Sequence, residues 1–195
     1  MRHVIPTLAF ALLIGACGAP AAEEAPAAAS FETNYTVISE DSHIRFSAVQ
    51  EGTDFEGRFS DFDADIFHDP AAPETSRVRV SIPLAGVEAG STDRNSTLPG
   101  EAWFDRKRFP VAIFEADGFT ATSDGFVTTG TLSMKGVSAE VELPFTLAEE
   151  DGRTVMSGRT VIDRTDWNVG AAPWNTDEYV SRAVELDLRV VATAK

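Results

Sequence analysis

The chain of 195 residues has one cysteine, three histidines and about half as many basic residues as acidic ones. One cysteine forms no intramolecular disulfide and builds no cysteine-based zinc site. Only His43 and His68 lie beyond the first few residues, so we predict no metal site and no metal cofactor. The 16 basic and 31 acidic residues give a net charge of −15, which argues against nucleic acid as a partner because phosphate binding needs a basic surface.

The mostly apolar stretch at 4–15 is too short to span a bilayer, and it follows a short basic start. This layout is typical of a secretory signal. The run IGAC at 14–17 is similar to a lipobox, the motif cleaved before a lipid-modified cysteine in bacterial lipoproteins. We therefore predict a lipoprotein signal peptide at 1–16, lipidation of Cys17 and anchoring to a membrane through that lipid. Gly18 favours the outer membrane, because aspartate at this place marks retention at the inner membrane.

The segment 17–33 is rich in alanine, proline and glutamate and shows no hydrophobic period. Such a composition is typical of a flexible tether. We expect the folded domain to occupy 34–195 and to lie in the bacterial cell envelope, on the periplasmic side of the membrane that holds the anchor.

Apolar and polar residues alternate along most of this domain, which indicates strands with one solvated face. The alternation is clearest at 43–49, 77–82, 140–147 and 184–190, and further strands are predicted at 55–67, 112–117, 126–134 and 154–164. Only 93–104 resists this pattern and predicts a short helical segment. About eight strands with short turns favour an all-β, antiparallel eight-stranded barrel, while a β-sandwich has the same local pattern and stays open.

Phenylalanine occurs 13 times, and many of these residues lie on the predicted strands. They either fill a barrel core or line an apolar cavity, since eight strands enclose a space that side chains can fill or that one small ligand can occupy. Composition does not decide between the two. No G-x-S-x-G, H-E-x-x-H or phosphate-loop motif appears, so we predict a binding protein and not an enzyme.

Five segments resemble, in order and spacing, the motifs of the YceI-like family, lipocalin-like polyisoprenoid-binding proteins of the bacterial periplasm. They are SHIRF at 42–46, GRF at 57–59 with FD at 62–63, RNSTL at 94–98 with FD at 104–105 and RFP at 108–110, GTLSMKGV at 130–137, and RTDWNV at 164–169. The chain departs from the family where Asn95 and Thr97 replace the usual aspartate and histidine. Only Arg94 and Leu98 carry over from that motif.

The resemblance implies a lipocalin-like barrel that binds a long-chain isoprenoid lipid, either a polyprenyl chain or an isoprenoid quinone, as an envelope carrier or storage protein. No other cofactor is implied. The candidate ligand-binding residues are the inward apolar positions Phe46, Phe55, Phe59, Val80, Ile82, Leu98, Trp103, Phe104, Phe114, Leu132, Met134, Phe145 and Trp167. Trp103, Trp167 and Trp174 are expected near the mouth, where an indole ring can contact lipid while its N–H stays hydrated.

Two other interpretations remain at this point. The first is a ligand-free interaction module, a barrel with a filled core that supports an envelope or membrane redox complex, with a membrane cytochrome or another envelope protein as partner. The second is a hydrolase or isomerase that acts on lipid. The resemblance also implies that two copies of the chain form a homodimer. A cavity of several hundred cubic ångströms would favour lipid binding, whereas a polar cluster with strongly perturbed pKa values at its inner end would favour an enzyme.

Overall fold

The computed structural model describes residues 31–195, which form one antiparallel sheet of twelve strands. The strands are β1 (Tyr35–Val37), β2 (His43–Gln50), β3 (Thr53–Phe59), β4 (Asp63–Phe67), β5 (Arg77–Pro83), β6 (Val87–Glu88), β7 (Val111–Asp117), β8 (Thr120–Ala121), β9 (Phe126–Met134), β10 (Val137–Glu150), β11 (Arg153–Asp163) and β12 (Ala183–Ala194). The main path through the sheet is β4-β5-β7-β9-β10-β11-β12-β2-β3-β6. The prediction of an all-β antiparallel fold is confirmed.

The sheet curls into an incomplete barrel. Because all twelve strands belong to one sheet, the fold is a barrel and not a sandwich of two sheets. β12 pairs with β2 along one part of its length and with β1 near its end. Asn34, just before β1, then bonds to the opposite edge of the sheet. Its backbone N–H donates to Ile66 O (3.0 Å), and its side chain exchanges two hydrogen bonds with the backbone of His68. These bonds join β1 to β4 and curl the sheet around its apolar face.

The predicted count of eight strands is wrong. Nine strands have five or more residues, and β1, β6 and β8 have only two or three. Strands this short show no period in the sequence. The single strand predicted at 55–67 is interrupted at 60–62. Instead of forming one element, β4 begins the main path and β3 lies next to its other end.

β10 shows why these residues form strands. Val141, Leu143 and Phe145 are buried, while Glu140, Glu142 and Pro144, which alternate with them, are exposed. Successive side chains on a strand point to opposite faces, so the apolar set faces the barrel interior and the acids face solvent. The same alternation across the sheet gives an apolar inner face and a polar outer face on which arginines pair with acidic side chains.

The end of the barrel beside β6 carries the predicted helical segment. The helix α1 spans Thr92–Thr97, and its N-cap Ser91 accepts a hydrogen bond from Arg94 N (3.2 Å) through its hydroxyl. A serine at this position satisfies an N–H that the helix cannot pair. Between residues 31 and 195, four short 3₁₀ turns also occur, at Ser39–Asp41, Pro73–Thr75, Leu84–Gly86 and Arg164–Trp167.

Among residues 31–195, no helix is long and apolar enough to cross a membrane. The predicted signal peptide at 1–16 and the predicted lipidation site Cys17 lie outside the described residues, as does all but the last part of the predicted tether.

Candidate functional site

The barrel encloses an apolar cavity of about 820 Å³. Ligand pockets commonly have volumes of about 300–1,000 Å³ and mostly hydrophobic linings. Twelve of the thirteen positions predicted from the sequence lie on its wall: Phe46, Phe55, Phe59, Val80, Ile82, Leu98, Trp103, Phe104, Phe114, Leu132, Met134 and Phe145. They come from strands on all sides of the sheet and from the turns beside α1. The interior is therefore an apolar space large enough for a ligand.

Trp167 is the exception, because it does not line the cavity. Its side chain is 1% exposed, and its Nε1–H donates to Leu132 O (2.7 Å). It belongs to the 3₁₀ turn Arg164–Trp167, and its indole packs in the buried cluster with Leu84 and Trp103. The period-two rule gives no side-chain direction in such a turn. The expectation that the Trp167 ring contacts lipid while its N–H stays hydrated is thus wrong, whereas Trp103 and Trp174 both line the cavity.

Several lining residues are absent from the predicted set although the sequence contains their signal. The alternating apolar residues of β12 line the wall, as does the inward series that begins before β4. These residues are Val184, Leu186, Leu188 and Val190 on β12, and Phe62, Ala64, Ile66 and His68 along β4. The alternation alone could have found the six that lie on strands, which are Ala64, Ile66 and the four of β12.

Two glycines help to keep the cavity open. A Cβ atom on Gly57 would clash with the ring of Phe46, its cross-strand partner on β2. A Cβ atom on Gly130 would likewise clash with the ring of Phe114 on the neighbouring strand. Because glycine has no side chain, these rings cover the strand backbone instead of projecting into the space between the walls.

The cavity opens beside α1. The exposed side chains that line it are all at this end, namely Glu51, Thr53, Asp54, Asp93 and Thr97. Three of the five are carboxylates. The mouth therefore has an acidic rim, in keeping with the net charge of the chain.

Arg94 is the half-buried cation of this rim. Its Nε–H donates to Ala89 O (2.5 Å), and its Nη1–H donates to Gln50 Oε1 (2.9 Å). The guanidinium lies 4.5 Å from the centre of the Phe55 ring, a distance typical of a cation–π contact. These contacts fix α1 against β2 and β3. Arg94 and Leu98, which the family motif carries over, both line the cavity.

The two departures from the family motif have separate roles in α1. Asn95 Oδ1 accepts from Ala89 N (2.7 Å) and so continues the attachment of α1 to the segment after β6. Thr97 lines the mouth, and its hydroxyl donates to Asp93 O (2.8 Å). Neither residue brings an ionisable group to the cavity.

A second element of the mouth is the loop at 169–182, which is held by the buried side chain of Arg164. Its strongest hydrogen bonds go to four carbonyl oxygens of this loop, those of Val169 (2.6 Å), Trp174 (2.5 Å), Val180 (2.8 Å) and Ser181 (2.9 Å). Burial lowers the pKa of Arg164, an effect that nearby carboxylates partly offset. All these bonds go to main-chain oxygens, so Arg164 is a structural cation that positions the loop.

The aromatic side chains of this loop extend the apolar wall toward solvent. Trp174 packs against Trp103 with a ring separation of 6.4 Å and against Tyr179 at 5.4 Å. Trp103 is 9% exposed, whereas Tyr179 is 39% exposed. The three rings form a continuous aromatic edge from the cavity to the surface.

The opposite, inner end of the cavity contains His68, which is 7% exposed. Its Nδ1 lies 2.8 Å from the hydroxyl of Ser76, which is fully buried. Burial lowers the pKa of His68 below its ordinary value, and Asp69 partly offsets the effect. The imidazole is therefore neutral near pH 7.

The titration of His68 predicts a pH effect on stability. The unfolded chain takes up a proton near pH 6.5 while the folded state resists it, so the free energy of unfolding should decrease as the pH falls below about 6.5. Urea unfolding at pH 7.5 and 5.5 measures this decrease. The pKa values of Asp163 and Asp187 are also lowered. Because carboxylates ordinarily titrate near pH 4, these two groups change the free energy of unfolding only below pH 5.5.

The His68→Phe variant keeps an aromatic ring and removes the titration. We expect its free energy of unfolding to change less between the two pH values than that of the wild type. Equal changes in both proteins would contradict the assignment.

The inner end of the cavity is lined mostly by side chains that do not ionise. Tyr35 and His68 are the titratable side chains among the described residues that line it. Ser76 is buried behind the imidazole and does not line the cavity, so its hydroxyl has no access to a substrate there. Within residues 31–195, no three His, Cys, Asp or Glu side chains gather in a way that could hold a metal ion.

Comparison with known proteins agrees with this architecture. The sequence model of the YceI-like domain matches residues 35–192. A UPF0312 protein from Azotobacter vinelandii is 33% identical over 101 residues, which cover 51% of this chain and 50% of that protein. The chain thus aligns with about half the length of such relatives.

Two solved structures share the fold. BcnA from Burkholderia cenocepacia is 28% identical, with a TM-score of 0.77 over 81% of this chain and 100% of that one. A polyisoprenoid-binding domain from Saccharophagus degradans is 17% identical, with a TM-score of 0.63 over 84% of this chain and 100% of that one. The second likeness is one of fold. Together with the family match, these similarities confirm the relationship that the five sequence motifs predict.

Proposed function

The chain belongs to the YceI-like domain family, and from this premise we propose that it binds one long-chain isoprenoid lipid in its cavity. The lipid is a polyprenyl chain or an isoprenoid quinone, and the protein serves as its carrier or store in the bacterial cell envelope. The observation that carries this proposal is the open apolar cavity of about 820 Å³. A fold neighbour that is a polyisoprenoid-binding domain supports the choice of ligand.

The size of the cavity suits part of an isoprenoid chain. At about 30 Å³ per heavy atom, the share of one water molecule in the liquid, it holds on the order of 27 heavy atoms. That number corresponds to about five isoprene units. A longer chain would extend past the aromatic edge formed by Trp103, Trp174 and Tyr179.

Hydrophobic transfer is sufficient to drive this binding. Each buried methylene contributes roughly 0.8 kcal/mol before the cost of ordering the chain, and large ligands retain about 0.3 kcal/mol per atom. About 27 atoms would therefore give on the order of 8 kcal/mol, which corresponds to a micromolar dissociation constant. No catalytic group is needed for a carrier or store of this kind.

The open cavity also weighs against the ligand-free module, which required a filled core. A void of this size forfeits packing contacts along its whole lining unless a ligand occupies it. The large apolar lining, including Phe46, Phe114 and Leu132, is explained by a hydrocarbon ligand and not by a supporting role alone.

We further propose that the protein acts at a membrane face. The motif at 14–17 favours lipidation of Cys17, and Gly18 favours the outer membrane. An anchored barrel would receive its lipid directly from the bilayer that holds it. A second copy of the chain and a membrane cytochrome remain predicted partners.

Native mass spectrometry of the protein purified from its own host tests the proposal. We expect one isoprenoid adduct per chain, which solvent extraction then releases for identification. The control is the same preparation after delipidation and reloading with an added quinone or polyprenol. An adduct-free mass together with no uptake of either lipid would refute lipid binding.

A further inference from the structure

The inner end of the cavity presents a polar atom that the fold itself does not use. His68 continues the inward face of Ala64 and Ile66, and its ring lies 5.5 Å from Phe119 and 6.3 Å from Tyr35. Its Nε2 has no hydrogen-bond partner among the described residues. Among the described residues, every fully buried side-chain nitrogen or oxygen has a hydrogen-bond partner. Because Nε2 has no partner, it is not fully buried and borders open space. That space is the cavity.

The hydrogen bond with Ser76 decides which ring nitrogen carries the proton. Ser76 is 0% exposed, and His68 Nδ1 is the one hydrogen-bond partner of its hydroxyl within residues 31–195. A buried hydroxyl proton without an acceptor is costly, so the Ser76 hydroxyl donates to Nδ1. The neutral imidazole then carries its proton on Nε2. Ser76 thus fixes His68 as a hydrogen-bond donor toward the cavity.

We propose that the Nε2–H of His68 donates a hydrogen bond to an uncharged oxygen of the bound lipid. The lipid then lies with its oxygen-bearing head group at the inner end and its isoprenoid tail toward the mouth. This head-first orientation selects a neutral carbonyl-bearing lipid of the quinone type over a polyprenyl phosphate. The inference rests on the proposed function, because it specifies the ligand of the same cavity.

The distribution of charge disfavours a phosphate at either end. Within the part of the chain that the structure describes, no lysine or arginine lines the inner end, and a buried phosphate without a counter-ion is strongly disfavoured. At the mouth, the guanidinium groups of Arg94 and Arg164 already donate to oxygens of the fold. The rim there also carries the carboxylates of Glu51, Asp54 and Asp93. A neutral head group at His68 needs no counter-ion and is not repelled by the carboxylates of the mouth.

A competition experiment tests this selection. The delipidated protein is mixed with equal amounts of a quinone with a five-unit isoprenoid tail, the matching pentaprenyl phosphate and squalene, an isoprenoid hydrocarbon without oxygen. Native mass spectrometry then gives the relative occupancies. We expect the quinone to dominate in the wild type. The His68→Phe variant should lower the ratio of quinone to squalene occupancy about tenfold, the effect of losing one buried hydrogen bond.

His43 offers a matched histidine control. It lies outside the cavity lining and contacts Asp187 (3.1 Å) on the outer face, so His43→Gln should keep the wild-type ratio. The infrared carbonyl stretch of a ¹³C-labelled quinone gives a second measurement. It should shift to lower frequency in the wild type and lose this shift in His68→Phe. The wild-type shift can be measured even if the variant does not fold.

The possible failures are distinguishable. If neither quinone, phosphate nor squalene binds, the proposed function itself is wrong. If the lipids bind but the ratio is the same in the wild type and in His68→Phe, or the carbonyl band does not shift, His68 does not contact the head group and holds only water. Preferential binding of the phosphate would also overturn the head-first orientation.

Discussion

Replacement of Arg164 by methionine is expected to lower the free energy of unfolding by about 4 kcal/mol. Arg164 is 4% exposed, and its guanidinium donates to carbonyl oxygens of Val169, Trp174, Val180 and Ser181. Methionine keeps an unbranched apolar stem but leaves these buried acceptors without donors, each of which costs about 1–3 kcal/mol. Urea unfolding measures the loss. Hydrogen exchange should show faster exchange of the amides at 169–182 than elsewhere in the domain.

Arg159→Met is the matched control. Arg159 forms ion pairs with Glu185 and Asp187 on the outer face, and its side chain is 65% exposed. Exposed ion pairs contribute little, so we expect a loss below about 1 kcal/mol. Similar losses in the two variants would show that the carbonyl bonds of Arg164 do not hold the loop.

Replacement of Ala64 by tryptophan is expected to weaken isoprenoid binding about a hundredfold. Ala64 lines the cavity from β4, so a tryptophan there takes up space that the lipid otherwise occupies. Displacing about nine ligand atoms at about 0.3 kcal/mol each removes roughly 2.7 kcal/mol of binding free energy. Titration with the five-unit quinone, followed by tryptophan fluorescence or native mass spectrometry, measures the change.

Asp65→Trp provides the control on the same strand. Asp65 is the next residue, is exposed and does not line the cavity, so its replacement should change the affinity less than twofold. The Ala64→Trp variant should unfold at a urea concentration no lower than that of the wild type, because its new side chain fills a void. Unchanged affinity in a folded Ala64→Trp protein would show that the lipid does not occupy the cavity.

The two variants separate the parts of the molecule on which binding depends. Arg164 acts on the loop that completes the mouth, whereas Ala64 lies on the wall that contacts the lipid. A lipid carrier needs both a volume and an entrance. We therefore expect Arg164→Met to increase the rate of lipid release as well as to destabilise the loop, while Ala64→Trp reduces the amount of lipid bound.

The alternation of apolar and polar residues determined the strands and most of the cavity wall. Nine of the twelve candidates found on the lining belong to strands, where a residue's parity fixes the face it occupies. The other three, Leu98, Trp103 and Phe104, follow α1 and lie outside the alternating segments. The alternation failed at Trp167, which lies in a 3₁₀ turn, and at the break between Phe59 and Asp63. The two-residue period does not predict the direction of a side chain where the backbone leaves the strand conformation.

The amino-acid sequence alone determined the fold class, the family and the apolar character of the inner face, since these follow from local pattern and motif order. Only the tertiary structure decided that the interior is open, because this depends on how rings such as Phe46 lie over Gly57 on a neighbouring strand. It also decided that the Ser76 hydroxyl meets His68 Nδ1 behind the cavity wall. Such contacts arise from the curl of the whole sheet, which no single segment encodes.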